Sequence, residues 1–231
     1  STLAPLRIHP SEIDGAEILP LVPRAAEVDQ KQDRKIAAIA SNLAQTVSIH
    51  NAATWILGHQ EWDFLGVYYN AIDHFCHGFM KYHPPRQEHI DEREFEIYKD
   101  VVEGAYRFHD MMLETMLRMA GDDPTVILVS DHGFHSDHLR PRGIPKEPAG
   151  PAICHRPLGI VVMRGPHIRR DERIHGANLL DVTPTILSLF GLPAGQDMDG
   201  KVLASAFETP PPLDRIASWE QEPGECGMHP V

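Results

Sequence analysis

The sequence predicts an α/β fold in which helices flank a mainly parallel central sheet, and three observations predict it. Thr125-Val-Ile-Leu-Val-Ser130 and Leu158-Gly-Ile-Val-Val-Met163 are continuous apolar runs, the pattern of strands covered on both faces. Long segments of helical period stand before and between the apolar runs, the order that α/β layers require. Asp131-His132-Gly133 follows directly on the first run, at the C-terminal strand end where open α/β sheets carry their chemistry.

Each element follows from its own residues. Residues 1–24 hold Pro5, Pro10, Pro20 and Pro23 and little periodicity, so an extended connection is expected. Residues 25–58 predict a helix, because Ile36, Ile39, Ala40, Leu43, Val47 and Trp55 recur near the 3.6 period. Residues 63–70, Asp-Phe-Leu-Gly-Val-Tyr-Tyr-Asn, are short, apolar and aromatic, and predict a strand leading into Asp73. Residues 83–91 open with His-Pro-Pro-Arg and form a polar loop placed to cover whatever Asp73 and His77 build. A second helix is expected over 92–120, with Tyr98, Val101, Val102, Ala105, Phe108, Met112 and Met119 inward and Gly121 ending it. Its methionines are packing residues.

After the strand at 125–130, residues 132–156 are irregular, punctuated by Pro141, Pro145, Pro148 and Pro151. A further helix is expected with Thr183 as N-cap, Pro184 at its first position and Gly191 at its stop. Residues 25–207 thus form one α/β domain, and 208–231, with Pro210-Pro211-Pro212, a linker or tail.

Composition excludes several classes. A net charge of −12 is incompatible with a surface built to grip nucleic-acid phosphates. No apolar stretch reaches the ~20 residues of a membrane span. Cys76, Cys154 and Cys226 are odd in number and form no C-x-x-C, so they make neither a disulfide framework nor a zinc finger. The chain opens Ser1-Thr-Leu-Ala-Pro without a signal pattern and reads as the interior of a longer polypeptide carrying further domains.

Chemistry concentrates in three clusters. Asp73 and His77 stand at i and i+4 and share one face if the chain is helical there. A carboxylate and an imidazole so spaced are half of a zinc site, needing one or two more ligands at ~2.0–2.2 Å. Asp131 and His132 are adjacent and would point to opposite faces of a regular strand, but Gly133 lets the backbone bend toward one ion. His175, before Gly176, follows the second apolar run; a lone histidine is more often structural, and this one gains weight only from its place beside the same expected sheet. His135, Asp137 and His138, and the pairs Arg140/Arg142 and Arg169/Arg170, read as surface residues before substrate contacts. Gly195-Gln-Asp-Met-Asp-Gly200-Lys201 imitates a phosphate loop, but Val202 stands where a hydroxyl is required and two carboxylates sit inside it.

Taken together, Ile72-Asp73-His-Phe-Cys-His77, Val129-Ser-Asp131-His132-Gly133, Ile174-His175-Gly176, Asp181-Val-Thr-Pro-Thr-Ile-Leu187 and Asp197-Met-Asp-Gly200 resemble the alkaline phosphatase superfamily, and within it the type I phosphodiesterase/nucleotide pyrophosphatase family. The resemblance spans roughly residues 60–207. It implies an alkaline-phosphatase-like sandwich and two divalent metals, expected to be zinc, clamping a phosphoryl group ~3.5–4 Å apart. By position, Asp73, His77 and His175 resemble the ligands of the first metal, and Asp131 and His132 two ligands of the second.

The family's nucleophilic Thr or Ser, and a further Asp, come from a strand and helix earlier than the counterpart of residue 60. No matching pair stands here, and no strand or Asp presents Thr2. The nucleophile is therefore expected upstream of residue 1, and the chain reads as the C-terminal portion of the catalytic domain. The implied activity is metal-dependent hydrolysis of phosphodiester or pyrophosphate bonds in a small phosphate ester or nucleotide-like substrate. A phosphomutase or phosphomonoesterase on the same scaffold is the alternative enzyme, and a degenerate, non-catalytic metal-binding domain of a larger interaction protein is the alternative class.

Overall fold

The computed structural model describes residues 2–224; Cys226 and the end of the expected tail lie outside the described residues. The chain divides into two compact units. One comprises the residues up to Asp122 together with His132–Pro157, the other Asp123–Asp131 and the residues from Leu158 onward.

The first unit is helical. It contains α1 (Gly15–Ile18), α2 (Lys35–His59), α3 (Ala71–Phe79), α4 (Glu92–Tyr98) and α5 (Val101–Met119). The expected helical period is present, with Ile36, Ile39 and Leu43 of α2 and Val101, Val102, Ala105 and Met112 of α5 turned inward, but Met119, expected inward, is exposed, as is Met111. All of the inward residues but Met112 meet Phe75, Cys76 and Phe79 of α3 in one apolar cluster, with α3 packed on both α2 and α5. The expected long second helix is interrupted at Lys99–Asp100, although both junction residues keep right-handed helical backbone. The segment before α2 holds short turns and α1, and Ile18, Leu21 and Val22 from it are buried in the same core. Gly104 of α5 permits this, because a Cβ there would lie 3.1 Å from both the Leu21 backbone and the Pro20 carbonyl oxygen.

Two strand expectations need correction. Residues 63–70 belong to no sheet among the described residues. Leu65, Val67 and Tyr69 there are half-buried and alternate with exposed Phe64, Gly66 and Tyr68, so the period of a strand survives without a partner strand. The apolar runs do form strands, β1 (Val126–Ser130) and β4 (Ile160–Arg164), but these pair antiparallel, from Val126 opposite Arg164 to Ser130 opposite Ile160. A parallel pair needs a crossover connection, usually a helix, and the intervening residues instead form loops, a 3₁₀ turn and the short antiparallel pair β2 (Gly133–Phe134) and β3 (His155–Arg156). The expected large parallel sheet is thus absent among the described residues, where the parallel pairing is that of two-residue strands β5 (Ala194–Gly195) and β6 (Arg215–Ile216).

In the second unit, α6 (Val182–Leu189) begins earlier than expected, with Asp181 rather than Thr183 at its N-cap. Asn178 explains the shift. Its side chain accepts from the Leu180 N–H while Asp181 accepts from the Asn178 N–H, a reciprocal cap that starts a 3₁₀ turn ahead of the helix. Pro184 falls inside the first turn, where no intrahelical donor is required. Gly191 ends the helix as expected, in the left-handed region at φ 68°.

Buried Asp181 also accepts from the Lys201 N–H at 2.8 Å, and the Thr185 hydroxyl accepts from the Leu203 N–H at 2.9 Å. Gly200 comes so close to the Leu180 carbonyl oxygen that a Cβ would lie 2.0 Å from it. The Asp181–Thr185 and Asp197–Gly200 motifs are therefore a structural clasp that holds α6 to the following loop.

Candidate metal centre

α3 carries Asp73 and His77 on successive turns, and its other face buries Phe75, Cys76 and Phe79, so packing fixes which way the ligand pair points. The β2–β3 pair sets Phe134 opposite His155 immediately after His132, which brings two more imidazoles to α3. Three imidazole nitrogens then face one carboxylate oxygen: His77 Nε2, His132 Nε2 and His155 Nε2 stand 3.3, 3.5 and 3.6 Å from Asp73 Oδ1. His77 Nε2 and His155 Nε2 are 2.9 Å apart.

Asp73 Oδ1 is buried and makes no hydrogen bond despite these neighbours. Ligands ~2.0–2.1 Å from a tetrahedral ion lie ~3.3–3.4 Å from one another, so the Asp73–His77 and Asp73–His155 separations of 3.3 and 3.6 Å lie near the edges of a coordination polyhedron, and the 2.9 Å His77–His155 edge is shorter. The residues fit a divalent cation, and Asp73, His77 and His155 are close enough for one ion, their ligand atoms all within 4.8 Å.

Phe134 orients the cluster. Its ring lies 5.0 Å from those of His77 and His155 and 5.5 Å from that of His132, each edge-on, while His132 and His155 stack at 3.6 Å. The same phenylalanine packs against the apolar core of the helices, so the imidazoles rest on a rigid floor. Two thiols lie beside ligands in sequence, and both are buried. Burial, reinforced by the Asp73 carboxylate, pushes the Cys76 thiol up to about 12 and moves Cys154 in the same direction, which keeps both protonated and unreactive at neutral pH.

Comparison with known proteins agrees with this chemistry. Residues 7–140, more than half of the chain, match the family described as type I phosphodiesterase / nucleotide pyrophosphatase. The chain belongs to this family. A stretch of 92 residues is also 32% identical to the 2,3-bisphosphoglycerate-independent phosphoglycerate mutase of Cereibacter sphaeroides (strain ATCC 17025 / ATH 2.4.3), covering 39% of this chain and 16% of the mutase. No solved structure matches the chain significantly.

The phosphodiesterase-family match begins in the N-terminal helices, well before the residues that carried the resemblance in sequence. Those helices bear core residues in a generic period, which no short motif reveals. It includes Asp73, His77, Asp131 and His132 and ends before His155 and His175. In the structure Asp73, His77 and His132 come together in the first unit, whereas Asp131 and His175 belong to the second.

His155 is the residue that sequence reasoning missed. It sits in the proline-rich stretch, next to Cys154 and Arg156, with no carboxylate or glycine nearby to mark it. A usable signal was its position just ahead of the second apolar run. Phe134 carries no sequence signal of its own, and its part as the floor beneath the imidazoles appears only with the pairing of β2 and β3.

Proposed function

We propose that this chain contributes the metal-binding portion of a phosphohydrolase acting on phosphodiester or pyrophosphate bonds. The observation that carries the reading is Asp73 Oδ1 ringed by His77, His132 and His155. Asp73 supplies the negative charge that holds a cation, and the imidazoles supply neutral donors aligned by Phe134. A bound divalent cation supplies positive charge against phosphoryl oxygens, which a chain of net charge −12 otherwise offers sparsely. In this reading His155 joins Asp73 and His77 at the first metal, with His175, the ligand implied by resemblance, as its competitor for that place. Asp131 and His132 serve the second metal, and zinc is the expected ion at both.

The nucleophilic hydroxyl is assigned to sequence preceding residue 1, since among the described residues no Thr or Ser at the start of a helix follows a strand-borne Asp. The matched stretch covers only 16% of the mutase relative's length, and the activity proposed is that of the whole protein. With bis(4-nitrophenyl) phosphate and saturating zinc, residues 1–231 should turn over slowly. Restoring the preceding sequence should raise the rate by orders of magnitude, and Asp73→Asn should remove the gain. Fast turnover by residues 1–231 alone, abolished by mutating a hydroxyl within them, would refute this placement of the nucleophile.

The phosphoglycerate mutase similarity favours a second reading, phosphoryl transfer within a phosphorylated acid. Conversion of 3-phosphoglycerate to 2-phosphoglycerate, followed by phosphorus NMR, separates the two.

A further inference from the structure

The metal-centre reading leaves one buried cation unused. Arg140 is 5% exposed, and its guanidinium meets no carboxylate at hydrogen-bond distance among the described residues. Instead Nη1 donates to the Met80 carbonyl at 2.8 Å and to the His83 carbonyl, and Nη2 donates to the Pro85 carbonyl at 2.7 Å. These carbonyls belong to the 3₁₀ turn Met80–Tyr82 that continues α3 and to the loop after it. The Met80 carbonyl also accepts from the His83 N–H at 3.0 Å, while those of His83 and Pro85 lie just beyond the turn, and a cation there meets the negative end of the helix dipole. The Arg140 carbonyl in turn accepts from the Gln87 side chain at 3.1 Å, so the grip runs in both directions.

The connection matters because of what each side carries. α3 bears Asp73 and His77; Arg140 ends the segment that begins with His132 and Phe134. Ligands from two distant stretches of chain must meet within a few tenths of an ångström, and a helix of nine residues is aimed by whatever holds its end.

We propose that Arg140 is a positioning residue for the metal centre, fixing α3 against the His132–His155 segment through the Met80, His83 and Pro85 carbonyls. The inference rests on the metal-centre reading and adds a residue that touches neither metal nor substrate. Lysine cannot replace it fully, because one ammonium cannot present a planar fork to three carbonyls.

Cobalt(II) tests it in the 231-residue chain, since its visible absorption reports ligand number and geometry as well as affinity. Wild-type protein should bind cobalt with an intense tetrahedral-type spectrum; no binding at all would sink the metal-centre reading itself. Given binding, Arg140→Met should weaken affinity roughly 10- to 100-fold, the usual effect of losing an outer support, and alter the spectrum. Arg140→Lys should fall between the two, and it keeps the test alive if the methionine variant does not fold. Leu43→Ala, a truncation in the core of α2, should lower the melting temperature while leaving cobalt affinity and spectrum unchanged. Wild-type cobalt binding and spectrum in a folded Arg140→Met or Arg140→Lys variant would overturn the inference and leave the metal centre standing. A cobalt loss in Leu43→Ala equal to that in Arg140→Met would also overturn it, by reducing the effect to general destabilisation.

Discussion

Asp73 and Phe134 separate two contributions to the site, charge and orientation. Asp73→Asn keeps the shape of the side chain and removes its charge, so the fold should persist, with a melting temperature close to wild type, while zinc affinity falls steeply. Phe134→Ala does the opposite. It removes the ring beneath three imidazoles and should cost about 2–3 kcal/mol of stability in urea denaturation, below a fully buried phenylalanine because this one is half-buried. It should also weaken zinc binding although no ligand is lost; an unchanged zinc affinity would show that the imidazoles hold their places without it. Spacing alone revealed Asp73 and His77, because i, i+4 on a helix has a fixed geometric meaning. His155 and Phe134 were illegible because their neighbours in space come from strand pairing, which two-residue strands do not announce.

Among the elements, the start of α2 and the body of α4 are tied by charge. Lys35 Nζ reaches Asp33 at 3.1 Å and Glu94 at 2.9 Å, while the Tyr98 and Tyr82 hydroxyls donate to the same two carboxylates at 2.8 Å. Burial alone would raise both carboxyl pKa values. Hydrogen bonds to their charged forms and the Lys35 ammonium outweigh it, so both lie below the ordinary carboxylate range. A carboxylate depressed in the folded state contributes stability at pH above its ordinary pKa, lost as pH falls through the depressed value. Lys35→Met should therefore cost about 1–2 kcal/mol at neutral pH, allowing for screening of these partly exposed groups, and should flatten the acid-side decline in stability. Equal acid-side slopes in urea titrations of the two proteins would contradict it. The helices were legible because a 3.6 period over twenty residues has few rival explanations. β1 and β4 were legible as strands, unlike residues 63–70, which have no partner strand among the described residues, but their direction was not: Leu128 and Ile160 fit a parallel or an antiparallel ladder equally well, and the loop between them decides.

At the scale of the molecule, the two units differ in how much apolar surface they bury. The first gathers Ile39, Phe75, Tyr82, Tyr98, Val101 and their neighbours into one large cluster. The second centres on Ile168, Leu203, Ala206 and Phe207, and the β1–β4 ladder leaves Leu128, Val129, Ile160 and Val162 exposed. Amide protection should follow this difference, with the second unit exchanging faster and the slowest amides lying in α2, α3 and α5. Zinc should add protection chiefly in the first unit, which holds Asp73, His77, His132 and His155. Uniform protection across both units, unchanged by zinc, would contradict the account.

The most direct test of the central claim is zinc binding by equilibrium titration to wild type, Asp73→Asn, His155→Ala, His175→Ala and His135→Ala. Asp73→Asn and His155→Ala should each lose most of the affinity, since a site with three or four protein ligands depends on every one, and His135→Ala should bind as wild type. His175→Ala should retain the affinity of the Asp73–His77–His155 group. Loss of zinc in His175→Ala with full retention in His155→Ala would assign the third ligand to His175 instead. Equal binding in all five proteins would contradict the claim that this cluster is a metal centre.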